Sequence, residues 1–185
     1  MSAPYVPHAT YDEFRNAVNG HGYDLDGLYG YQCWDGVDLL YEQSDVGQYL
    51  YTGSQGLAKE CWTNTTSRAR NGSGHFEIVG SSPLLIKKGD ILVFNTYSGW
   101  YGTAGHIGFA NEDYNGTDYI SLLSQNFGSG ANPQTGKPFN IMNAFLGTAF
   151  LGAFRYKPWA VTPPTPTVTK SKFPWVLFAR KLRNR

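Results

Sequence analysis

Hydrophobic periodicity changes once along this chain, from helical stripes before residue 63 to alternating segments punctuated by turns after residue 66, and that order predicts an α+β domain. Thr10 caps a helix over residues 10–18, with Glu13 three positions on and Tyr11, Phe14 and Val18 on one face before Asn19-Gly20 stops it. A second helix begins at Gln32 or Cys33, because Trp34, Val37, Leu40 and Tyr41 form one stripe while Asp35 and Asp38 occupy its opening turns. A third, weaker helix is expected over residues 54–62, ahead of the polar run Thr63-Asn64-Thr65-Thr66. Lys87-Lys88-Gly89-Asp90 then reads as a turn launching Ile91-Leu92-Val93-Phe94, and residues 105–110, 119–127 and 150–156 read as further strands.

The 185 residues suffice for one domain, expected over residues 1–157, and 41% apolar with 16% aromatic content excludes a disordered chain. The 22 glycines and 13 tyrosines favour loops and strands over a helical bundle. No apolar run of about 18 residues is present to span a membrane. Met1-Ser2-Ala3-Pro4-Tyr5 lacks the basic and apolar stretches of a secretory signal. Pro158, Pro163, Pro164 and Pro166 with interspersed threonines predict a stiff linker over 158–169, and residues 170–185 form a basic, aromatic tail. Charge is divided the same way: residues 1–154 carry 7 Lys/Arg against 14 Asp/Glu, and residues 155–185 carry 8 Lys/Arg and no acid. Such a tail suits a polyanion, either nucleic acid, anionic lipid or the teichoic polymers of a Gram-positive wall, or else serves only solubility. Nucleic acid has tail charge alone in its favour and ranks last.

The two cysteines differ in setting. Cys33 stands at the positive end of a helix, where a thiolate is stabilised, whereas Cys61 sits among Leu57, Ala58 and Trp62 as a small buried hydrophobe. A Cys33–Cys61 disulfide would silence the better nucleophile. A thiol hydrolase also needs an imidazole and a group that orients it. Of four histidines, His106 alone follows a glycine and precedes an apolar run, so its ring can emerge from a sheet beside the Cys33 helix. Period-two alternation puts Ser124 and Asn126 on one side of a strand and Gln125 on the other. Asn126 is the expected acceptor for the ring N–H because its amide oxygen reaches farther than the Ser124 hydroxyl. Gln32 can add a side-chain N–H to the Cys33 backbone N–H as donors to an oxyanion.

Asp24, Asp26 and Asp35 flank the thiol on a glycine-rich loop. Two carboxylates two residues apart, a third returning from a helix and backbone oxygens of Leu28 and Gly30 make a donor set for Ca2+, preferred to magnesium because carbonyls take part. The alternative is a solvated acidic turn. The spacing is not that of an EF-hand, since no closing glutamate follows. A bound cation would relieve repulsion among the three charges and stiffen the loop before Cys33.

Taken together, Asp24-x-Asp26-Gly27-x-Tyr29-Gly30-x-Gln32-Cys33-x-Asp35, Lys88-Gly89-Asp90-Ile91-Leu92-Val93-Phe94, Gly105-His106-Ile107 and Gln125-Asn126-Phe127 resemble the CHAP family of cysteine, histidine-dependent amidohydrolases and peptidases. The resemblance covers roughly residues 10–157 and is strongest to CHAP domains at the N-termini of bacteriophage endolysins. It implies a papain-like α+β fold with N-terminal helices against an antiparallel sheet. It further implies attack by Cys33, paired with His106, on a peptidoglycan amide of a Gram-positive wall. That amide joins muramic acid to L-alanine or lies within the stem peptide or cross-bridge. Asn126 matches a family asparagine, and Asp24, Asp26, Leu28, Gly30 and Asp35 match a calcium loop. The implied location is the host cytoplasm until lysis and then the wall, with carriage in the virion as a variant. One position departs: related phage enzymes usually carry glutamate where this chain has Ser124, which shifts the orienting role to Asn126 or to another acid such as Glu112. A noncatalytic wall-binding protein is the alternative that this departure raises.

Overall fold

The computed structural model describes residues 8–42, 50–97, 101–128 and 130–160. Helix α1 (Tyr11–Val18) opens on the expected capping box, with Thr10 accepting from Glu13 N and the Glu13 carboxylate accepting from Thr10 N at 3.2 Å. Its Tyr11, Phe14 and Val18 are buried. Helix α2 (Cys33–Glu42) starts at the cysteine. Two shorter helices, α3 (Glu60–Thr63) and α4 (Thr65–Asn71), replace the single helix expected over 54–62. The polar run therefore joins two helices: Asn64 caps α4 by accepting from Ser67 N at 3.0 Å.

Six strands follow: β1 (Phe76–Gly80), β2 (Ile91–Phe94), β3 (His106–Ala110), β4 (Tyr119–Ser124), β5 (Asn140–Phe145) and β6 (Phe150–Tyr156). They form one sheet in the order β1-β6-β2-β3-β4-β5, with every described pair antiparallel. The two edge strands, β1 and β5, were not expected from the sequence, and β4 ends at Ser124 instead of running on to 127. Period-two alternation divides the interior into two cores. Ile91, Val93, Ile107 and Phe109 face α1 and α2 together with Phe14 and Leu40, while Leu92, Phe94 and Ala110 face a layer of loops holding Tyr101, Phe127 and Leu146. Each fully buried side chain of this size stabilises the fold by about 1.5–3 kcal/mol.

The turn before β2 is fixed by buried Asp90. Its carboxylate receives a two-pronged bond from Arg155 of β6, both distances 2.8 Å, and a third from Lys87 N at 2.8 Å. Residues 158–160, expected to begin the extended linker, lie in a helical turn, α5 (Lys157–Ala160). Trp159 packs edge-on against Tyr11 and Tyr156, so the folded body runs past residue 157. The remainder of the linker, residues 161–169, and the 170–185 tail lie outside the described residues. No helix among the described residues is long and apolar enough to cross a membrane.

Candidate active site

Cys33 and His106 line one open cleft of about 640 Å³, together with Gln32, Trp34, Tyr101, Asn126 and the acidic loop residues Asp26, Leu28, Tyr29 and Asp35. The helix that carries Cys33 packs on the strand that carries His106. Cys33 is half-buried and unpaired, and Cys61 is an unpaired core residue, so no disulfide joins them. Gly105 makes the approach to His106 feasible: its φ is +72°, and a Cβ there would meet Phe94 O at 2.3 Å.

His106 is 5% exposed. It stacks on Phe127 at 4.8 Å and faces Tyr101 at 5.8 Å. Its Nε2 lies 3.0 Å from Ser124 Oγ, and Ser124 donates its own proton to Ile107 O at 2.7 Å. With the hydroxyl proton directed to a main-chain carbonyl, Ile107 O or Gln125 O (3.2 Å), the serine oxygen is free to accept from the ring, an arrangement that would put the neutral imidazole's proton on Nε2 and leave Nδ1 basic. Gly108, opposite Ser124, allows the close approach, since a Cβ there would stand 2.8 Å from Ser124 Cβ.

Asn126 is not the ring's acceptor. Its backbone turns left-handed (φ 50°) just past the end of β4, which breaks the alternation that predicted its direction. Its Nδ2 donates to Gln32 Oε1 at 2.7 Å and its Oδ1 accepts from Asn132 N at 2.7 Å. Glu112 does not substitute either. It follows the end of β3 opposite His106, where it accepts from Ser121 N at 3.0 Å and Asn115 Nδ2 at 3.1 Å. Gln32 is committed in two directions: Oε1 accepts from Asn126, and Nε2 donates to Tyr29 O.

Gln125, fully buried, stands in the Gln125-Asn126-Phe127 motif, which by itself assigns it no role. Its side chain exchanges hydrogen bonds with Tyr23 N (2.7 Å) and Tyr23 O (3.0 Å), and it donates to Gln32 O at 2.9 Å. One amide thus ties both ends of the acidic loop to the sheet. The signal for it was its parity: it points to the face opposite Ser124, which is the helix face.

Burial governs the ionisation of the pair. It pushes the Cys33 thiol up to about 11; N–H groups of Ile107, Cys33 and Trp34 oppose this, and Asp35 adds to it. The expectation that a helix start would lower this thiol is therefore overturned: desolvation outweighs the helix terminus. Burial likewise pushes His106 down to about 3. Both shifts favour the neutral thiol and the neutral imidazole.

Oxygens of Asp24, Asp26 and Asp35 lie within 4.8 Å of one another. Asp35 accepts from Leu25 N at 3.1 Å and Gln32 N at 3.0 Å, and Asp26 accepts from Leu28 N at 2.7 Å. Asp24 Oδ1 is sealed from solvent with no hydrogen-bond partner. An orphaned anionic oxygen beside two further carboxylates fits a hard divalent cation. Of the two expected carbonyls, Gly30 O accepts from Gln32 N at 2.8 Å. Without a cation, burial raises Asp35 to about 6, an effect its two N–H donors oppose and Asp26 and Asp24 reinforce. Trp34 lines the cleft, Trp62 is core against Phe154, and Trp100 lies outside the described residues.

No family model matches the chain. A protein of Streptococcus phage B30 named D-alanyl-L-alanine endopeptidase is 31% identical over 155 residues, covering 80% of this chain and 30% of that protein. Endolysin PlyTW of Staphylococcus phage Twort is 33% identical over 110 residues, covering 57% of this chain and 21% of that protein. The crystal structure of a wild type endolysin, LysIME-EF1, shares the fold with a TM-score of 0.58 at 22% identity, covering 80% of this chain and 64% of that one. The chain spans less than a third of the length of the two curated relatives. The chain is thus similar in sequence to one part of these two longer phage proteins and shares its fold with an endolysin.

Proposed function

We propose that this domain hydrolyses an amide bond of Gram-positive peptidoglycan through Cys33, as a CHAP-type amidase or endopeptidase. The observation that carries this reading is the shared cleft of Cys33 and His106, with the ring held by Ser124 so that Nδ1 is the free base. The names of the two phage relatives, an endopeptidase and an endolysin, support the substrate class.

Because both groups rest neutral, Nδ1 takes the thiol proton as sulfur attacks the carbonyl carbon. The carbonyl electrons move onto oxygen, which the Cys33 backbone N–H and the Gln32 side chain receive. Collapse expels the amine with the proton from the ring, leaving a thioester. Nδ1 then deprotonates water, which attacks the thioester and frees the acid and the thiol. Asp24, Asp26 and Asp35, with Leu28 and Gly30 oxygens, would hold Ca2+, whose charge stiffens the loop ahead of the nucleophile. The basic tail would draw the domain to anionic wall polymers by charge. On this reading the protein acts at the wall once lysis, or delivery with the virion, brings it there.

The test is turbidity clearing of purified Gram-positive walls. Cys33→Ala should abolish clearing and the release of new amino groups while the circular dichroism spectrum is kept; wild-type clearing by that variant would sink the mechanism. Sedimentation with walls by a wild-type protein that releases no amino groups would instead favour a noncatalytic wall binder. Mass spectrometry of the fragments names the amide that is cut.

A further inference from the structure

Two amides in the cleft have orientations that the backbone dictates. Asn132 N–H can only donate, so Asn126 turns Oδ1 toward it (2.7 Å) and Nδ2 away. Nδ2 then meets Gln32 Oε1 at 2.7 Å. Gln32 must therefore turn its NH2 to the opposite side, where Tyr29 O, which can only accept, takes one proton. An amide nitrogen carries two protons. Held at its oxygen and at one N–H, Gln32 keeps its second N–H in reserve, on a residue that lines the cleft beside Cys33.

The relay includes both of the non-glycine residues with left-handed backbone among the described residues, Tyr29 (φ 62°) and Asn126 (φ 50°). Asparagine tolerates that region better than most side chains while keeping both a donor and an acceptor, which accounts for its presence at this bend. His106 has no need of it, since Ser124 serves Nε2 and aromatic rings cover the faces.

We propose that Asn126 is a positioning residue for Gln32, not for the imidazole: it grips Oε1 and so aims the reserved N–H at the oxyanion formed beside Cys33. This rests on the hydrolase reading above. Asn126 then contributes to turnover only through Gln32.

The experiment is a double-mutant cycle on wall hydrolysis, with iodoacetamide alkylation of Cys33 against pH as a readout of the thiol and ring. Gln32→Ala should lower kcat by about a hundredfold with KM nearly held, in the range for loss of one oxyanion donor. Asn126→Ala should lower it about tenfold, and the double variant should fall no further than Gln32→Ala alone. The alkylation profile of Asn126→Ala should overlay the wild type, whereas that of Ser124→Ala should be displaced. Losses that multiply to about a thousandfold, or an Asn126→Ala profile displaced like that of Ser124→Ala, would overturn the proposal. Asn126→Asp keeps the size, the bend and the acceptor for Asn132 but loses the donor, so it should reproduce the tenfold loss if alanine unfolds the loop; full activity would be equally fatal. If wild-type protein cleaves no wall, the hydrolase reading falls by itself. Positioning is then judged by NMR: Asn126→Ala must speed solvent exchange of the Gln32 side-chain amide protons, and unchanged exchange rejects it.

Discussion

Ser124 Oγ stands 3.0 Å from His106 Nε2 while its own proton goes to Ile107 O at 2.7 Å, so the group that holds the ring is a neutral hydroxyl. A neutral acceptor fixes the tautomer but gives an imidazolium less support than a negative charge does. On the proposed mechanism, proton transfer to Nδ1 would be confined to the moment of attack.

Ser124→Ala removes that acceptor and leaves Ile107 O without its donor. We expect kcat on walls to fall about tenfold, the size of one lost hydrogen bond acting on the barrier, and stability to fall by about 1–3 kcal/mol. Steady-state clearing rates and urea denaturation measure the two. A variant with wild-type kcat would mean that ring orientation comes from the Phe127 and Tyr101 stack alone.

The Cys33 ionisation has its own signature. With the thiol raised to about 11 and His106 lowered to about 3, little thiolate exists near neutrality. The rate of iodoacetamide alkylation should climb steadily from pH 6 to pH 9 and show no plateau below pH 7. A plateau from pH 5 upward would reveal a preformed thiolate–imidazolium pair and displace the concerted transfer described above.

The parts of this site that rest on strong local signals were legible in the sequence. The Thr10 capping box, the helix beginning at Cys33 and the strand carrying His106 each combine a boundary residue with an apolar period, and all three stand in the structure. Helix α4 carries no apolar stripe: its buried positions are Ser67 and Asn71, and it is held by Asn64 at its start and by Asn71 bonds to Tyr51 O and Cys61 O. Strands β1 and β5 are sheet edges with exposed residues such as Ile78 and Ile141, so neither alternates cleanly. The exchange of roles between Ser124 and Asn126 was hidden for another reason. Alternation holds only while the backbone stays extended, and it ends one residue after Ser124.

Cation binding should be linked to protons through Asp35. Its folded value of about 6 exceeds the ordinary carboxylate value of 3.8, so across that interval the cation-free native state holds more protons than the unfolded chain. This group's contribution to stability accordingly falls as pH rises from about 4 to about 6. Ca2+ competes with the same proton, so the rise in Tm on adding Ca2+ should be small at pH 5 and larger at pH 7.5. Scanning fluorimetry with and without chelator tests this. A calcium effect absent at both pH values, or greater at pH 5, would remove Asp35 from the ligand set.

Tyr29 separates strain from substrate contact. It lies on the cleft rim, 68% exposed, in a left-handed conformation (φ 62°) that costs a side-chain-bearing residue about 1–2 kcal/mol. Tyr29→Gly relieves that cost, and the added freedom of the unfolded chain takes back about 0.5–1 kcal/mol. Stability should therefore hold or rise by up to about 1.5 kcal/mol. The backbone carbonyl that receives Gln32 Nε2 survives the change, so kcat should stay within about twofold, whereas KM for walls should rise severalfold as the exposed ring is lost. If kcat collapses and KM does not move, the strained bend itself, and not the ring it presents, is what the cleft requires.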